Sequence, residues 1–284
     1  MARSDTTLAL DIGGTKMLAA LVRGNVVSET HTMATPRNGD PEAWLSALFE
    51  AIESWRGLYD TVGVAVTGII DSGHWSPLNR RTLDIPDRFP LIETVSRLSC
   101  AASVFAANDA QAAAWGEYAF GAGQGHDLVF LTISTGIGGG IVVNGRLLGG
   151  LAGHFGQFRN LDEEGRALED KVSGHWIATE AAPHRPGATA RDVFEAAAAG
   201  HGWAEAIIHA SARQTALLCG NIQLALDPVR IVIGGGIGLA PSYLESVRQA
   251  LGGLPPRLTP QLHPAALAEK AGVVGVADLA RRQN

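Results

Sequence analysis

Two stretches of the chain, LALDIGGTKMLAALVRGNVV from Leu8 and LVFLTISTGIGGGIVVNGRLL from Leu128, follow one plan. Each runs from an apolar strand into a glycine-rich turn, then a second apolar run, a hairpin dipeptide (Gly24-Asn25 or Asn144-Gly145) and a third strand. An internal repeat of this size governs the whole fold, because it implies two similar units built on the same strand order. Strand interiors disfavour glycine, which supplies no side chain and loses the most backbone entropy on folding. Gly13-Gly14 and the turn at Gly136 therefore answer to something other than strand stability.

Between the copies, Pro41 opens PEAWLSALFEAIESWRG, where Trp44, Leu45, Leu48, Phe49 and Ile52 recur at helical spacing and Gly57 ends the run. TVGVAVTGII predicts a strand, LIETVSRLS a short helix, and SVFAAN a strand that delivers Asn108 and Asp109 to the helix DAQAAAWGEYAF. After the second copy, a Pro- and Gly-broken segment near APHRPGAT precedes two helices, TARDVFEAAAAG and GWAEAIIHASARQTALLCGNIQLAL. RIVIGGGIGLAPSYLESVRQAL then reads as strand, triple glycine and helix, and AGVVGVADLARRQ as a last strand or turn followed by a helix. The pattern predicts an α/β protein of two duplicated units facing each other across a cleft. The expected domains are 1–118 and 119–271, with the final helix, 272–284, a candidate to complete the first.

Composition narrows the partners. The 284 residues, 46% hydrophobic, suffice for two cores. A net charge of -6 without any Lys/Arg block argues against a surface for nucleic acid or anionic lipid. Two isolated cysteines, Cys100 and Cys219, give neither a disulfide framework nor a thiolate zinc site. The apolar stretch from Leu128 to Val143 is short for a membrane span and is broken by Thr, Ser and Gly. A cytoplasmic protein acting on small molecules is the expectation.

Backbone N–H groups exposed by glycines at a strand end can surround a phosphate, and a following hydroxyl can add a hydrogen bond. Gly13, Gly14 and Thr15 form one such turn, Thr135 and Gly136 a second, and Gly234, Gly235 and Gly236 follow a third strand. Lys16 is either a phosphate contact or a solvated lysine on the second strand, and the sequence leaves both open. Asp11 is placed to hold Mg²⁺, directly or through water, since a hard cation on nucleotide phosphate takes one or two carboxylates. No GxxxxGK[ST] occurs, no strand is followed by GxGxxG with a distant carboxylate, and GxSxG is missing, so a P-loop, a dinucleotide fold and a hydrolase elbow are unsupported. Asp109, where strand meets helix, is a helix cap or a ligand-side carboxylate. Set with two phosphate turns, it is the candidate base that accepts a hydroxyl proton during phosphoryl transfer.

DIGGTK, NDAQAAAWGE, STGIGGG, GLAGHFGQ and VIGGGIGLAPSYL, in this order over nearly the whole chain, resemble the sugar-kinase branch of the ROK family, above all its bacterial N-acetylmannosamine kinases. The resemblance implies an actin-like, ribonuclease H-type two-domain fold, ATP with Mg²⁺, transfer of the γ-phosphate to the sugar 6-hydroxyl, and a homodimer. It puts the catalytic aspartate at Asp109 and sugar contacts at Asn108, Thr67, Gly68, Asn79, His154, Gln157 and Glu169. Because the first motif begins at Leu8, no DNA-binding domain of the kind carried by the family's repressors is expected before it. His154 stands where glucose-type members have Glu, which favours a 2-acetamido sugar and, with it, phosphorylation of N-acetyl-D-mannosamine in sialic acid breakdown. A glucokinase, fructokinase or N-acetylglucosamine kinase on the same scaffold is the alternative, as is a catalytically silent sugar sensor.

One departure from the family stands out. Its members have a His at the position of Gln157, followed by CxCGxxGC, four ligands suited to tetrahedral zinc. Here Gln157 is followed by FRNLDEEGRALED, with no cysteine, so no zinc is expected. The charged cluster Arg159, Asp162, Glu163, Glu164 and Arg166 is either a replacement brace for the sugar loop or simply solvated.

Overall fold

A computed structural model of the protein describes residues 5–36, 39–80, 83–159 and 165–283. The chain divides into two compact units, one made of Met1–Gly121, Leu147–Leu151 and Glu269–Asn284, the other of Ala122–Arg146 and Ala152–Ala268.

The first unit opens with β1 (Thr6–Ile12), β2 (Lys16–Arg23) and β3 (Val26–Ala34), then α1 (Pro41–Ala51) and β4 (Thr61–Val66). A short pair, β5 (Ile69–Asp71) and β6 (His74–Ser76), precedes α2 (Leu91–Ser99), β7 (Ser103–Asn108) and α3 (Asp109–Phe120). In the second unit, β8 (Leu128–Ile133), β9 (Ile137–Val143) and β10 (Arg146–Leu147) lead to α4 (Gly174–Ala181), α5 (Ala190–Ala198) and the long α6 (Gly202–Leu226). It continues through β11 (Arg230–Gly234), α7 (Gly235–Gly238), α8 (Tyr243–Ala250) and β12 (Leu262–Pro264). The chain ends in α9 (Ala271–Arg282), which belongs to the first unit.

The repeat is visible in the sheets. Their orders are β3-β2-β1-β4-β7 and β10-β9-β8-β11-β12. In each, an antiparallel hairpin lies beside strands that run parallel, β1-β4-β7 in one and β8-β11-β12 in the other. Alternation along β1 sorts the two faces of its sheet. Leu8, Leu10 and Ile12 enter a cluster with Trp44, Leu45 and Leu48 of α1, whereas Ala9 joins small residues that include Ala65, Ala112 and Val276. The second unit's core gathers Val129, Leu131 and Ile133 of β8 with Ile208, Ala212 and Cys219 of α6.

Small residues on the second face of the first sheet let α9 approach closely. A Cβ on Gly63 would lie 2.5 Å from the Val276 carbonyl oxygen, and one on Gly116 would lie 2.3 Å from that of Ala271. AGVVG is accordingly helical and not the strand or turn its composition predicts. Its glycines serve this approach, since a Cβ on Gly275 would meet the Ala112 carbonyl oxygen. The Trp115 indole donates to Asp278 Oδ2 at 2.9 Å, an oxygen that also accepts from Arg282 at 2.7 Å, which fixes the helix along α3. The sequence reading also missed β5, β6, α4 and β12. Three of these are strands of three residues each, too short to show periodicity.

Gly275→Ala is expected to destabilise the protein by about 1–3 kcal/mol, as overpacking does, read as a lowered urea midpoint. An unchanged midpoint would contradict the close crossing of α3 and α9.

Candidate active site

Strand register builds the first unit's part of the site. In the parallel ladder Ile12 pairs with Val66 and Val66 with Asn108, so β1, β4 and β7 end level with one another. Thr67, just past β4, donates its N–H to the Ile12 carbonyl at 3.1 Å. Asn108 ends β7 and caps α3, its Oδ1 accepting from the amides of Ala110 (3.0 Å) and Gln111 (3.2 Å). Its amide nitrogen donates to the Gly68 carbonyl at 2.9 Å and, at the longer distance of 3.5 Å, to the Val66 carbonyl. Asp109 thus enters in the first turn of α3. Its Oδ2 accepts the Thr67 hydroxyl at 2.7 Å and its Oδ1 the Ala110 amide at 2.8 Å, so the carboxylate cannot swing freely.

The Thr67–Gly68 loop is held from behind by the short strand pair. Trp75 on β6, fully buried, donates its indole N–H to the Thr67 carbonyl at 2.8 Å. Gly68 has φ 115, and a Cβ there would come 2.5 Å from the Ser76 carbonyl oxygen. Asn79 lies on the exposed segment after β6, where its carbonyl accepts from Leu83. Sequence reasoning found Thr67 and Gly68 but not the indole that fixes them.

Asp11, one residue before the end of β1, has its pKa pushed up to about 7 by burial first and by the neighbouring Asp109 carboxylate second, with Lys16 opposing. Burial and a like charge both favour the neutral form of this carboxyl. The turn beyond it is tied down by Gly13 N–H to the Lys16 carbonyl (2.9 Å) and by the Thr35 hydroxyl to the Gly13 carbonyl (2.7 Å). Gly14 is partly exposed, and Thr15 and Lys16 are exposed. The first turn of α9 borders the same place, since a Cβ on Gly272 would lie 3.5 Å from Asp11 Oδ2. Nothing in the sequence around Gly272 signalled this.

In the second unit, a cavity of about 1220 Å³ opens among α4, α5, α6, α7 and the turn after β8, lined by Ser134, Thr135, His175, Phe194, His209 and Gly236 among others. The turn is fixed by Ser134 N–H to the Gly136 carbonyl (2.9 Å) and by Gly174 N–H to the Ser134 carbonyl (2.7 Å). Of the triple glycine, only Gly236 borders the cavity, with nothing within 4 Å of a built Cβ. Gly235, at φ 84, lies against β8, where a Cβ would come 2.3 Å from the Ile133 carbonyl oxygen, and Gly234 packs on the Phe130 ring. Gly136 likewise stands outside the lining and shapes the turn. The helical residues of the cavity were not found from sequence, because periodicity marks a helix's buried face and not the end that lines a pocket.

The GLAGHFGQ loop lies on β9 through its glycines. A Cβ on Gly153 would come 2.6 Å from the Gly139 carbonyl oxygen, and one on Gly156 would come 2.4 Å from that of Ile137. His154 therefore sits on a fixed backbone, and both its ring nitrogens are inaccessible and lack a hydrogen-bond partner. Backbone satisfaction, the ordinary fate of a loop histidine, does not occur here. Gln157 donates its side-chain N–H to Glu169 Oε1 at 2.8 Å. The residues here do not fit the zinc that the family resemblance implies, since the Gln157 amide is engaged as a donor and no thiolate follows it. Of the charged cluster, Asp162, Glu163 and Glu164 lie outside the described residues, while Arg159 donates to the Gly165 carbonyl at 3.4 Å.

Comparison with known proteins bears on the family and the fold. The ROK family model matches residues 7–283. A bifunctional enzyme NanE/NanK of Brucella melitensis is 47% identical over 98% of this chain, which spans 54% of that protein. The chain thus covers about half the length of its Brucella relatives. An N-acetylmannosamine kinase of Escherichia coli is 39% identical, with 97% of this chain and 98% of that protein aligned. The crystal structure of a ROK family glucokinase from Streptomyces griseus, in complex with glucose and AMPPNP, superposes with a TM-score of 0.82 at 30% identity, covering 98% of this chain and 99% of that one. The duplicated sheets are those of the actin-like α/β fold. Among the described residues no helix is long and apolar enough to cross a membrane.

A carboxyl whose folded pKa is raised holds its proton more tightly when folded, so its stabilising contribution is full below the ordinary value of 3.8 and is lost as pH rises through about 7. Without Mg²⁺, Asp11→Asn is therefore expected to gain stability relative to the unsubstituted protein as pH increases across that window, measured by urea unfolding. A pH-independent difference between the two would contradict the raised pKa.

Proposed function

The chain belongs to the ROK family, and on that premise we propose that it transfers the terminal phosphoryl group of ATP to the 6-hydroxyl of N-acetyl-D-mannosamine, a step of sialic acid breakdown. The observation that carries the reading is Asp109, held by Thr67 and the first turn of α3 beside the raised-pKa carboxyl of Asp11. Identities of 47% and 39% to NanE/NanK and N-acetylmannosamine kinase, against 30% to the glucokinase, support the 2-acetamido sugar over glucose. His154, with two unpartnered ring nitrogens, supports a polar ligand at the GLAGHFGQ loop.

In this mechanism Asp109 accepts the proton of the 6-hydroxyl as the oxygen attacks the γ-phosphorus. The Thr67 hydroxyl and Ala110 amide keep the carboxylate aimed while that proton moves. Asn108 and the Thr67–Gly68 loop orient the sugar, with Asn79 on the segment that follows and His154 as a further contact. The turns at Gly13-Gly14-Thr15 and Ser134-Thr135 offer amides and hydroxyls to the phosphates, with Lys16 alongside the first. The cavity bordered by Gly236 takes the nucleoside. Asp11 would hold Mg²⁺, which when bound offsets negative charge on the transferring group. The family resemblance supports a cytoplasmic homodimer as the working form.

Incubation with MgATP and a panel of N-acetylmannosamine, N-acetylglucosamine, glucose, mannose and fructose, with the sugar phosphate identified, tests the reading. N-acetylmannosamine 6-phosphate as the preferred product is expected. Preference for glucose would overturn the substrate, and binding without turnover would favour the sensor. Asp109→Asn is expected to lower kcat by about 100-fold or more while nucleotide affinity, measured by calorimetry, stays within about threefold.

A further inference from the structure

The segments on either side of residues 160–164 meet at a single antiparallel bridge, flanked by two short 3-10 turns, Phe155–Gln157 and Leu168–Lys171. Arg159 and Ala167 form an antiparallel bridge, and Leu168 N–H donates to the Phe158 carbonyl at 2.8 Å. Two positions beyond the bridge on each side, the turns bring two polar side chains together. Those residues are Gln157 and Glu169, and their side chains are joined at 2.8 Å. The other carboxylate oxygen of Glu169 lies in a notch made by two glycines. Built Cβ atoms on Gly136 and Gly156 would stand 3.1 Å and 3.3 Å from Oε2. Glu169 thus touches the turn after β8 with one oxygen and holds the GLAGHFGQ loop with the other. Its own backbone continues the connection, because the Glu169 carbonyl accepts from Ser173 at 3.2 Å and the next residue, Gly174, donates to Ser134 O.

We propose that the Gln157–Glu169 hydrogen bond is a metal-independent clasp that fixes the loop bearing His154 onto the Ser134–Gly136 turn, making Glu169 and Gln157 positioning residues and not independent sugar contacts. The clasp joins two short turns that the Arg159–Ala167 bridge holds side by side. The role in catalysis rests on the sugar-kinase reading above: the clasp sets the position of His154 relative to the turn that faces the phosphates. The clasp itself does not depend on which ligand the loop takes.

Amide hydrogen exchange of residues 153–158 in the ligand-free full chain reads the clasp directly. Gln157→Ala and Glu169→Ala are each expected to speed exchange there by about 10-fold or more, and the double substitution by no more than either alone, the mark of one shared interaction. Exchange in the unsubstituted protein is expected to stay the same after treatment with a zinc chelator. Unchanged exchange in the single variants, additive effects in the double, or faster exchange on chelation would overturn the proposal. In turnover assays, the same variants are expected to raise the sugar KM by about 10-fold while kcat and the ATP KM stay within about threefold, a split that general unfolding would not produce. Independent multiplication of the two KM effects would make the residues separate sugar contacts. If the unsubstituted protein phosphorylates no sugar, the kinase reading fails while the exchange result still decides the clasp.

Discussion

The register of three parallel strands is what the first unit's chemistry depends on. Because Ile12, Val66 and Asn108 are cross-strand partners, the chain leaves all three strands at one level. Asp11, Thr67 and Asp109 follow from that level. A slip of one residue in any strand would reverse its faces, exchanging Leu10 and Ala9 between a cluster of large side chains and one of small ones. The packing of both faces therefore defends the positions of the functional carboxylates. Ligand groups gather where such strands end, outside their carboxyl ends, in open α/β sheets generally.

Charge is the second constraint. Two carboxylates placed this close resist joint ionisation, and the raised pKa of Asp11 records both that repulsion and its burial. The arrangement is costly for the protein, and under the proposed function a divalent cation and a nucleotide would offset that cost. The Thr67 hydroxyl and the helix amide at Asp109 reduce the freedom of the second carboxylate, so that one of the pair is suited to a cation and the other to a proton.

Much of this was legible in the sequence, for reasons that differ by element. The duplicated strand, glycine turn and hairpin are local signals, and they yielded the strands β1 to β3, β8 and β9 together with the turns that follow β1 and β8. Asp109 was legible because strand and helix meet at a short polar pair. The indole of Trp75 behind Thr67 was not, because it depends on three-residue strands that carry no period. AGVVG reads as a strand or turn from sequence, whereas its glycines admit a neighbouring helix. The Gln157–Glu169 pair was seen only as two family positions. Its meaning lies in the meeting of two 3-10 turns twelve residues apart, which no local pattern encodes.

The central claim is that Asp109 faces the hydroxyl that receives phosphate. A crystal structure with N-acetylmannosamine and a non-hydrolysable ATP analogue measures this most directly. The account predicts the sugar O6 at about 2.6–3.2 Å from an Asp109 carboxylate oxygen, with the purine in the cavity lined by Phe194 and His209. A bound sugar whose O6 lies against another residue, away from the Asp109 carboxylate, would contradict it.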